Sequence, residues 1–195
     1  MKIKKITVGQ VATNVYTATK GNDVIFVDPG AEFSRIDNML EAGDNVIGII
    51  LTHGHFDHIG AVNELVEKYG CAVYAPLAEA NLINNPKQSF YDGKPLEDII
   101  YVDDNFNIGP FSIKLHKTPG HTAGSVTYEI DDVMFTGDTL MNLTVGRQDL
   151  PTGSEADMYN SIQYYKTFKN DYKIYCGHGN DSTLFYQFEK NPYFK

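Results

Sequence analysis

The sequence predicts an α/β protein: a four-layer αββα sandwich in which two mixed β-sheets lie face to face with helices outside. Three observations carry that class. Short strands come in consecutive runs, which implies hairpins and so antiparallel pairs within each sheet. Alternation of strand and helix follows those runs in both halves of the chain. No Gly-x-Gly-x-x-Gly follows the first apolar strands, which counts against a doubly wound dinucleotide-binding sheet. The 195 residues suit one domain spanning 1–195, and 42% apolar with 21% charged residues is ordinary for a chain that buries a core.

Taken in order, residues 2–8, 11–18 and 24–28 read as strands separated by turns at Gly9-Gln10 and Lys20-Gly21-Asn22. A helix is expected over 32–42, where Phe33, Ile36, Met39 and Leu40 fall at helical spacing before Gly43. The run 46–51 is a buried strand, and 59–69 an amphipathic helix with Leu65, Val66 and Tyr69 inward. Residues 71–75 form another strand and 78–83 a short helix. The stretch 84–109 is the least regular, with turn formers at Asn85-Pro86, Asp92-Gly93 and Lys94-Pro95 and exposed Phe90 and Tyr91. It reads equally as a surface insertion beside a site or as a linking loop. Strands follow at 111–115, 125–130 and 133–136, then a helix over 155–168, a strand at 172–176 and a helix at 183–189. Cys71 and Cys176 lie in apolar runs and read as buried free thiols.

The chemistry concentrates where strand 46–51 turns into its helix, in Thr52-His53-Gly54-His55-Phe56-Asp57-His58. Side chains two apart on an extended segment point the same way, so His53 and His55 can converge on one ion. Asp57 and His58 lie past the bend, face elsewhere, and suit a second ion or a water. This is not the helical His-Glu-x-x-His arrangement. Three further turns repeat the logic, each a His or Asp flanked by glycine directly after a predicted strand: Gly120-His121-Thr122, Gly137-Asp138-Thr139 and Gly177-His178-Gly179. Five of the six histidines fall in the four turns together; the sixth, His116, sits within a strand and reads as structural.

Together these motifs resemble the metallo-β-lactamase superfamily of binuclear metallohydrolases, and the likeness extends to the early Val27-Asp28-Pro29-Gly30 turn. The resemblance implies a metal site at one edge of the two sheets. One divalent ion would take His53, His55 and His121, the other Asp57, His58 and His178, with Asp138 bridging them. Imidazole and carboxylate without thiolate suit zinc, and equally iron or manganese. Within the superfamily, Gly137-Asp138-Thr139-Leu140 followed by Val145-Gly146-Arg147-Gln148-Asp149-Leu150-Pro151 is similar to the signature of short, single-domain glyoxalase II-like (hydroxyacylglutathione hydrolase-like) enzymes. That implies a thioesterase acting on S-lactoylglutathione or a related hydroxyacyl thioester. The attack would come from a hydroxide held by the ions, with Asp57 as ligand and catalytic orienter of the nucleophile. Arg147 matches a basic substrate-binding position, and equally suits a surface pair with Asp149. A mononuclear iron persulfide dioxygenase shares much of the pattern, and a lactonase or other hydrolase of the same fold shares its ligands. The chain ends at Lys195, soon after the last ligand, with no counterpart to the C-terminal helical region that holds glutathione in full-length glyoxalase II enzymes; the thiol is left open.

A formal charge of −9 argues against a nucleic-acid partner, which would want a basic face. No apolar run is long enough to span a bilayer and no signal pattern opens the chain, so the expectation is a cytoplasmic protein without a membrane partner. Its partner is a small-molecule thioester; the oligomeric state is left open.

Overall fold

Period-two alternation of apolar side chains sorts this chain into layers. In the computed structural model, which describes residues 1–195, the first sheet is β1 (Lys2–Val8), β2 (Thr13–Lys20), β3 (Asp23–Val27), β4 (Asn45–Ile50), β5 (Ala72–Pro76) and β6 (Ile99–Val102), in that spatial order. Its first three strands pair antiparallel and β3 to β6 pair parallel. The second sheet contains β7 (Phe106–Ile108), β8 (Phe111–Lys117), β9 (Val126–Ile130) and β10 (Val133–Gly137). A small hairpin of β11 (Leu140–Met141) and β12 (Thr144–Val145) follows, before β13 (Lys173–Cys176) and β14 (Ser182–Thr183) complete that sheet in the order β14-β13-β10-β9-β8-β7. Only β10 and β13 pair parallel there, so both sheets are mixed, as expected.

Three apolar clusters separate four layers. On β3, Ile25 and Val27 face the second sheet while Phe26 faces the helices α1 (Phe33–Asp37), α2 (Phe56–Ile59) and α3 (Val62–Tyr69). Ile36, Ile59 and Leu65 cover that outer face. Between the sheets, Tyr16 and Ile50 meet Phe111, Tyr128 and Phe135. On β10, Met134 points the other way, into a third cluster. There it meets Met158, Ile162 and Tyr165, and Leu184; these belong to two later helices described below.

Several elements differ from the sequence reading. The helix over 32–42 contracts to α1, because Met39 and Leu40 donate to the carbonyls three residues back and so follow the tighter turn. The helix over 59–69 is split. Gly60 packs so tightly on Gly30 that a Cβ would sit 2.2 Å from its carbonyl oxygen, and Ala61 N donates to Pro29 O at 2.9 Å. The residues before this contact close the one-turn α2, and α3 starts after it. Within 84–109 lie α4's successor α5 (Pro86–Ser89) and two strands, β6 and β7, that cross from one sheet to the other; α4 itself is Ala80–Ile83. Tyr91 packs against the first cluster rather than facing solvent. The long helix α6 (Glu155–Tyr165) is capped by Ser154 Oγ accepting from Asp157 N, and α7 (Leu184–Lys190) by Thr183 Oγ accepting from Tyr186 N. Cys71 and Cys176 are buried and unpaired. No helix is long and apolar enough to cross a membrane.

His116 is structural, as read. Its ring bridges Glu129 Oε2 (2.9 Å) and the Tyr164 hydroxyl (2.8 Å), and Lys114 Nζ donates to Glu129 Oε1 at 2.7 Å. Burial alone would raise the Glu129 carboxyl; Lys114 and His116 outweigh it and hold it below the ordinary value. A depressed folded-state pKa stabilises the protein above the unfolded-state value of about 4.3 and is lost as pH falls through the folded value. Glu129→Gln is therefore expected to cost about 1–3 kcal/mol at neutral pH. The deficit should shrink in denaturant melts taken at progressively lower pH. An equal deficit at pH 7 and pH 3 would show that Glu129 is not linked to acid stability.

Candidate metal centre

Four strand ends meet at one edge of the sandwich. β4 runs into the turn carrying His53, His55, Asp57 and His58; β8 leads to His121, β10 to Asp138 and β13 to His178. Main-chain bonds lock these ends together: Val126 N to Thr52 O at 3.1 Å, Gly177 N to Gly137 O at 2.8 Å, and Asn14 N to Gly177 O at 2.7 Å. The structure brings all seven residues into one cluster. Three sets have donor atoms within 4.8 Å of one another: His53, His55 and His121; His53, His58 and Asp138; and Asp57, His58 and His178. His58 Nε2 lies 3.4 Å from both Asp57 Oδ2 and Asp138 Oδ1, and His178 Nε2 lies 3.3 Å from Asp57 Oδ2 and 3.2 Å from Asp138 Oδ2. His121 Nε2 is 3.5 Å from Asp138 Oδ2, so Asp138 stands between the outer sets.

One detail corrects the extended-strand reading of the turn. His58 does not face away from His53: α2 coils the chain back and sets the two rings 4.1 Å apart.

The donor set fits a divalent cation. His53 Nε2, His55 Nε2, His58 Nε2 and Asp138 Oδ1 are buried without a hydrogen-bond partner. A buried polar atom left so costs about 1–3 kcal/mol, and a cation at the centre supplies the missing partner for lone pairs directed at it. His55 Nδ1 faces His121 Nε2 at 2.9 Å, while the Nδ1 atoms of the other four rings are held from behind. His58 Nδ1 bonds Asp28 Oδ2 at 3.0 Å, His121 Nδ1 bonds Arg147 O at 2.8 Å, and His178 Nδ1 bonds Val11 O at 3.1 Å. Thr52 Oγ donates to Asp28 Oδ2 at 2.7 Å, which leaves it to accept from His53 Nδ1 at 3.2 Å. Such partners fix tautomer and ring orientation and present the other nitrogen to an ion.

Burial and then its histidine neighbours push His53 down, and the same causes take His55 down to about 4, so both rings are neutral ligands at pH 7. Burial opposes charge on His58 and His178, but Asp57 and Asp138 outweigh it; His58 is raised and His178 reaches about 10. Burial would raise the carboxyls of Asp57 and Asp138, and the facing His58 and His178 carry both below the usual range instead. In the metal-free protein these two imidazoles hold protons that a cation would displace.

Arg147 contributes its carbonyl to His121, while its exposed guanidinium pairs with Asp149 through two 2.7 Å bonds. Sequence reasoning missed two supports. Thr13 Oγ donates to Asp57 Oδ2 at 2.7 Å, and buried Glu79 bonds both histidine loops. Neither position carries a motif that would reveal it. Beside Asp57, a cavity of about 550 Å³ is lined by Val8, Val11, Ala31 and Phe56 among others. Exposed Phe90, at the end of α5, has its ring centroid 6.1 Å from that of His55.

A buried cluster of imidazoles and carboxylates at the edge of an αββα sandwich defines a metallo-hydrolase class of protein. The chain belongs to the metallo-beta-lactamase superfamily, whose family model matches residues 8–178. It is 33% identical to the probable metallo-hydrolase YqgX of Bacillus subtilis, over 99% of this chain and 97% of that one. It is also 33% identical to a hydroxyacylglutathione hydrolase of Shewanella pealeana, over 83% of this chain but 58% of the relative. Among solved structures, the BLEG-1 B3 metallo-beta-lactamase superposes with a TM-score of 0.90 at 27% identity, each chain fully covered. TTHA1623 in a di-iron-bound form gives 0.87 at 27% identity, covering 97% of this chain and 99% of that one.

Proposed function

We propose that this protein is a binuclear metal-dependent thioester hydrolase acting on S-lactoylglutathione or a related hydroxyacyl thioester. His53, His55 and His121 would hold one ion, Asp57, His58 and His178 the other, with Asp138 between them. Divalent ions in that position supply Lewis acidity toward a carbonyl oxygen and lower the pKa of coordinated water toward about 7. The contacts of Asp57 with Thr13, His58 and His178 all go to Oδ2, which holds the carboxylate in one orientation beside the cavity, where it can orient an attacking water.

The observation that carries the choice of substrate is the cavity wall next to Asp57, which has no lysine, arginine or tyrosine. Its two carboxyls, Glu32 and Asp57, are held below the usual range by Arg35 and by His58 and His178, so they stay ionised and do not protonate a poor leaving group. A thiolate needs no such help, because a thiol has a pKa of about 8.5. The lining is largely apolar, which suits the carbon skeleton of an acyl group better than the carboxylates of glutathione. The likeness to a hydroxyacylglutathione hydrolase supports the same substrate class.

A panel of substrates tests the reading. The metal-loaded protein is expected to hydrolyse S-lactoylglutathione or a simpler hydroxyacyl thioester with kcat/KM of at least about 10⁴ M⁻¹s⁻¹, the lower end of ordinary enzyme values. Oxygen uptake with a persulfide and no thioester turnover would move the assignment to an iron dioxygenase. Hydrolysis of a β-lactam or lactone alone would overturn it as well.

A further inference from the structure

Glu79 is a buried carboxylate that the chemistry above does not use. It closes the short 3₁₀ turn Leu77–Glu79 after β5 and is 1% exposed. Its partners come from the two loops that carry three of the histidines. Gly54 N, between His53 and His55, donates to Oε2 at 2.7 Å. Thr122 Oγ, next to His121, donates to Oε1 at 2.7 Å, and Gly124 N donates to the same oxygen at 2.9 Å. The fit is close on both sides. A Cβ on Gly124 would sit 2.5 Å from Glu79 Oε1, and one on Gly54 would sit 2.5 Å from Ile83 Cγ1. Glu79 thus adds a hydrogen-bonded link between the loops to their direct contacts, Val126 N to Thr52 O at 3.1 Å and His55 Nδ1 to His121 Nε2 at 2.9 Å.

The second set of donors is supported from elsewhere. Thr13 Oγ bonds Asp57 Oδ2 at 2.7 Å, Val11 O bonds His178 Nδ1 at 3.1 Å, and Thr13 makes an isolated antiparallel bridge to His178. These contacts all come from the β1–β2 hairpin, whose strands lie on the other side of β4 from β5, the strand that leads into Glu79's turn.

We infer that Glu79 is the positioning residue of the three-histidine half of the centre. Its carboxylate clamps the loop bearing His53 and His55 to the loop bearing His121, and so sets the affinity of the ion those rings would hold. The other half depends on the β1–β2 hairpin, so the two halves can be weakened separately. The inference rests on the two-ion reading proposed above.

Glu79→Gln keeps the shape but turns an N–H donor toward Gly54 N, Gly124 N or Thr122 Oγ, whichever way the amide is placed. Loss of a support behind a metal ligand typically weakens metal binding about 10- to 100-fold. The test is calorimetric titration of the metal-stripped, full-length protein with zinc, repeated with cobalt to record the absorption bands of each site. Wild type, Glu79→Gln, Thr122→Val and Thr13→Val are compared. Glu79→Gln is expected to weaken one of two binding steps about 10- to 100-fold and leave the other unchanged. Thr122→Val should weaken the same step by a smaller factor, and it stands in if Glu79→Gln does not fold. Thr13→Val should weaken the other step, with cobalt bands changing for that site alone. A uniform loss of fold stability does not produce this split. Wild-type binding in two steps, with Glu79→Gln or Thr122→Val unchanged or weakened equally in both, overturns the clamp and leaves the two-ion reading standing. A wild type with fewer than two steps overturns both.

Discussion

Asp138→Asn is expected to abolish hydrolysis while leaving the fold intact. Asp138 is 8% exposed and stands within 3.5 Å of the Nε2 atoms of His58, His121 and His178. Its Oδ1 has no hydrogen-bond partner, so the carboxylate is placed for something other than internal bonding. An amide of the same shape loses the charge and turns N–H donors toward nitrogens that are themselves donors when protonated. It cannot present two anionic oxygens to two cations. The variant should retain the far-ultraviolet circular dichroism of the parent and bind at least one ion fewer per chain. Losing several kcal/mol of charge stabilisation in the transition state corresponds to a rate loss on the order of 10³-fold. Wild-type turnover with undiminished metal content would remove Asp138 from the centre.

Gly177→Ala should do comparable damage through shape alone. A Cβ there would meet Asp138 Oδ1 at 2.0 Å and His58 Cε1 at 2.8 Å. The backbone cannot retreat easily, because Gly177 N donates to Gly137 O and its carbonyl accepts from Asn14 N. The side chains must move instead, and those are two of the donors. Overpacking of this kind costs about 1–3 kcal/mol of stability. Here it should also displace a metal ion. Gly179→Ala is the control. Gly179 has φ of 79° but open space around its Cβ position, so alanine there strains the backbone without touching a donor. That variant should lose about 1 kcal/mol of stability and keep its metal. Equal metal loss in both variants would show that the fold, not the contact at Asp138, is responsible.

Much of this arrangement was legible because it is local. Each of the four turns follows a β-run and sets a donor beside glycine, so the strand-end turns at His53, His121, Asp138 and His178 could be read without knowing how the strands pair. The two mixed sheets followed from the consecutive short strands, which imply hairpins, and from the strand–helix succession after them. What stayed hidden is non-local. The break in the helix over 59–69 is imposed by the Asp28-Pro29-Gly30 turn docking on Gly60, a contact between segments about thirty residues apart. The β-branched run at Ile99–Val102 was there to be read as a strand, but the turn formers around it dominated the pattern. Glu79 and Thr13 look like ordinary polar residues until their partners are seen. The placement of His58 against His53 likewise depends on one turn of helix that no pattern of four residues announces.

The measurement that bears most directly on the account is a zinc titration of the metal-stripped protein, with ions counted per chain by elemental analysis and thioester hydrolysis followed at each step. Two ions per chain are expected, with full turnover reached only as the second is taken up. Saturation at one ion per chain, or two ions with no thioester hydrolysis, would contradict it.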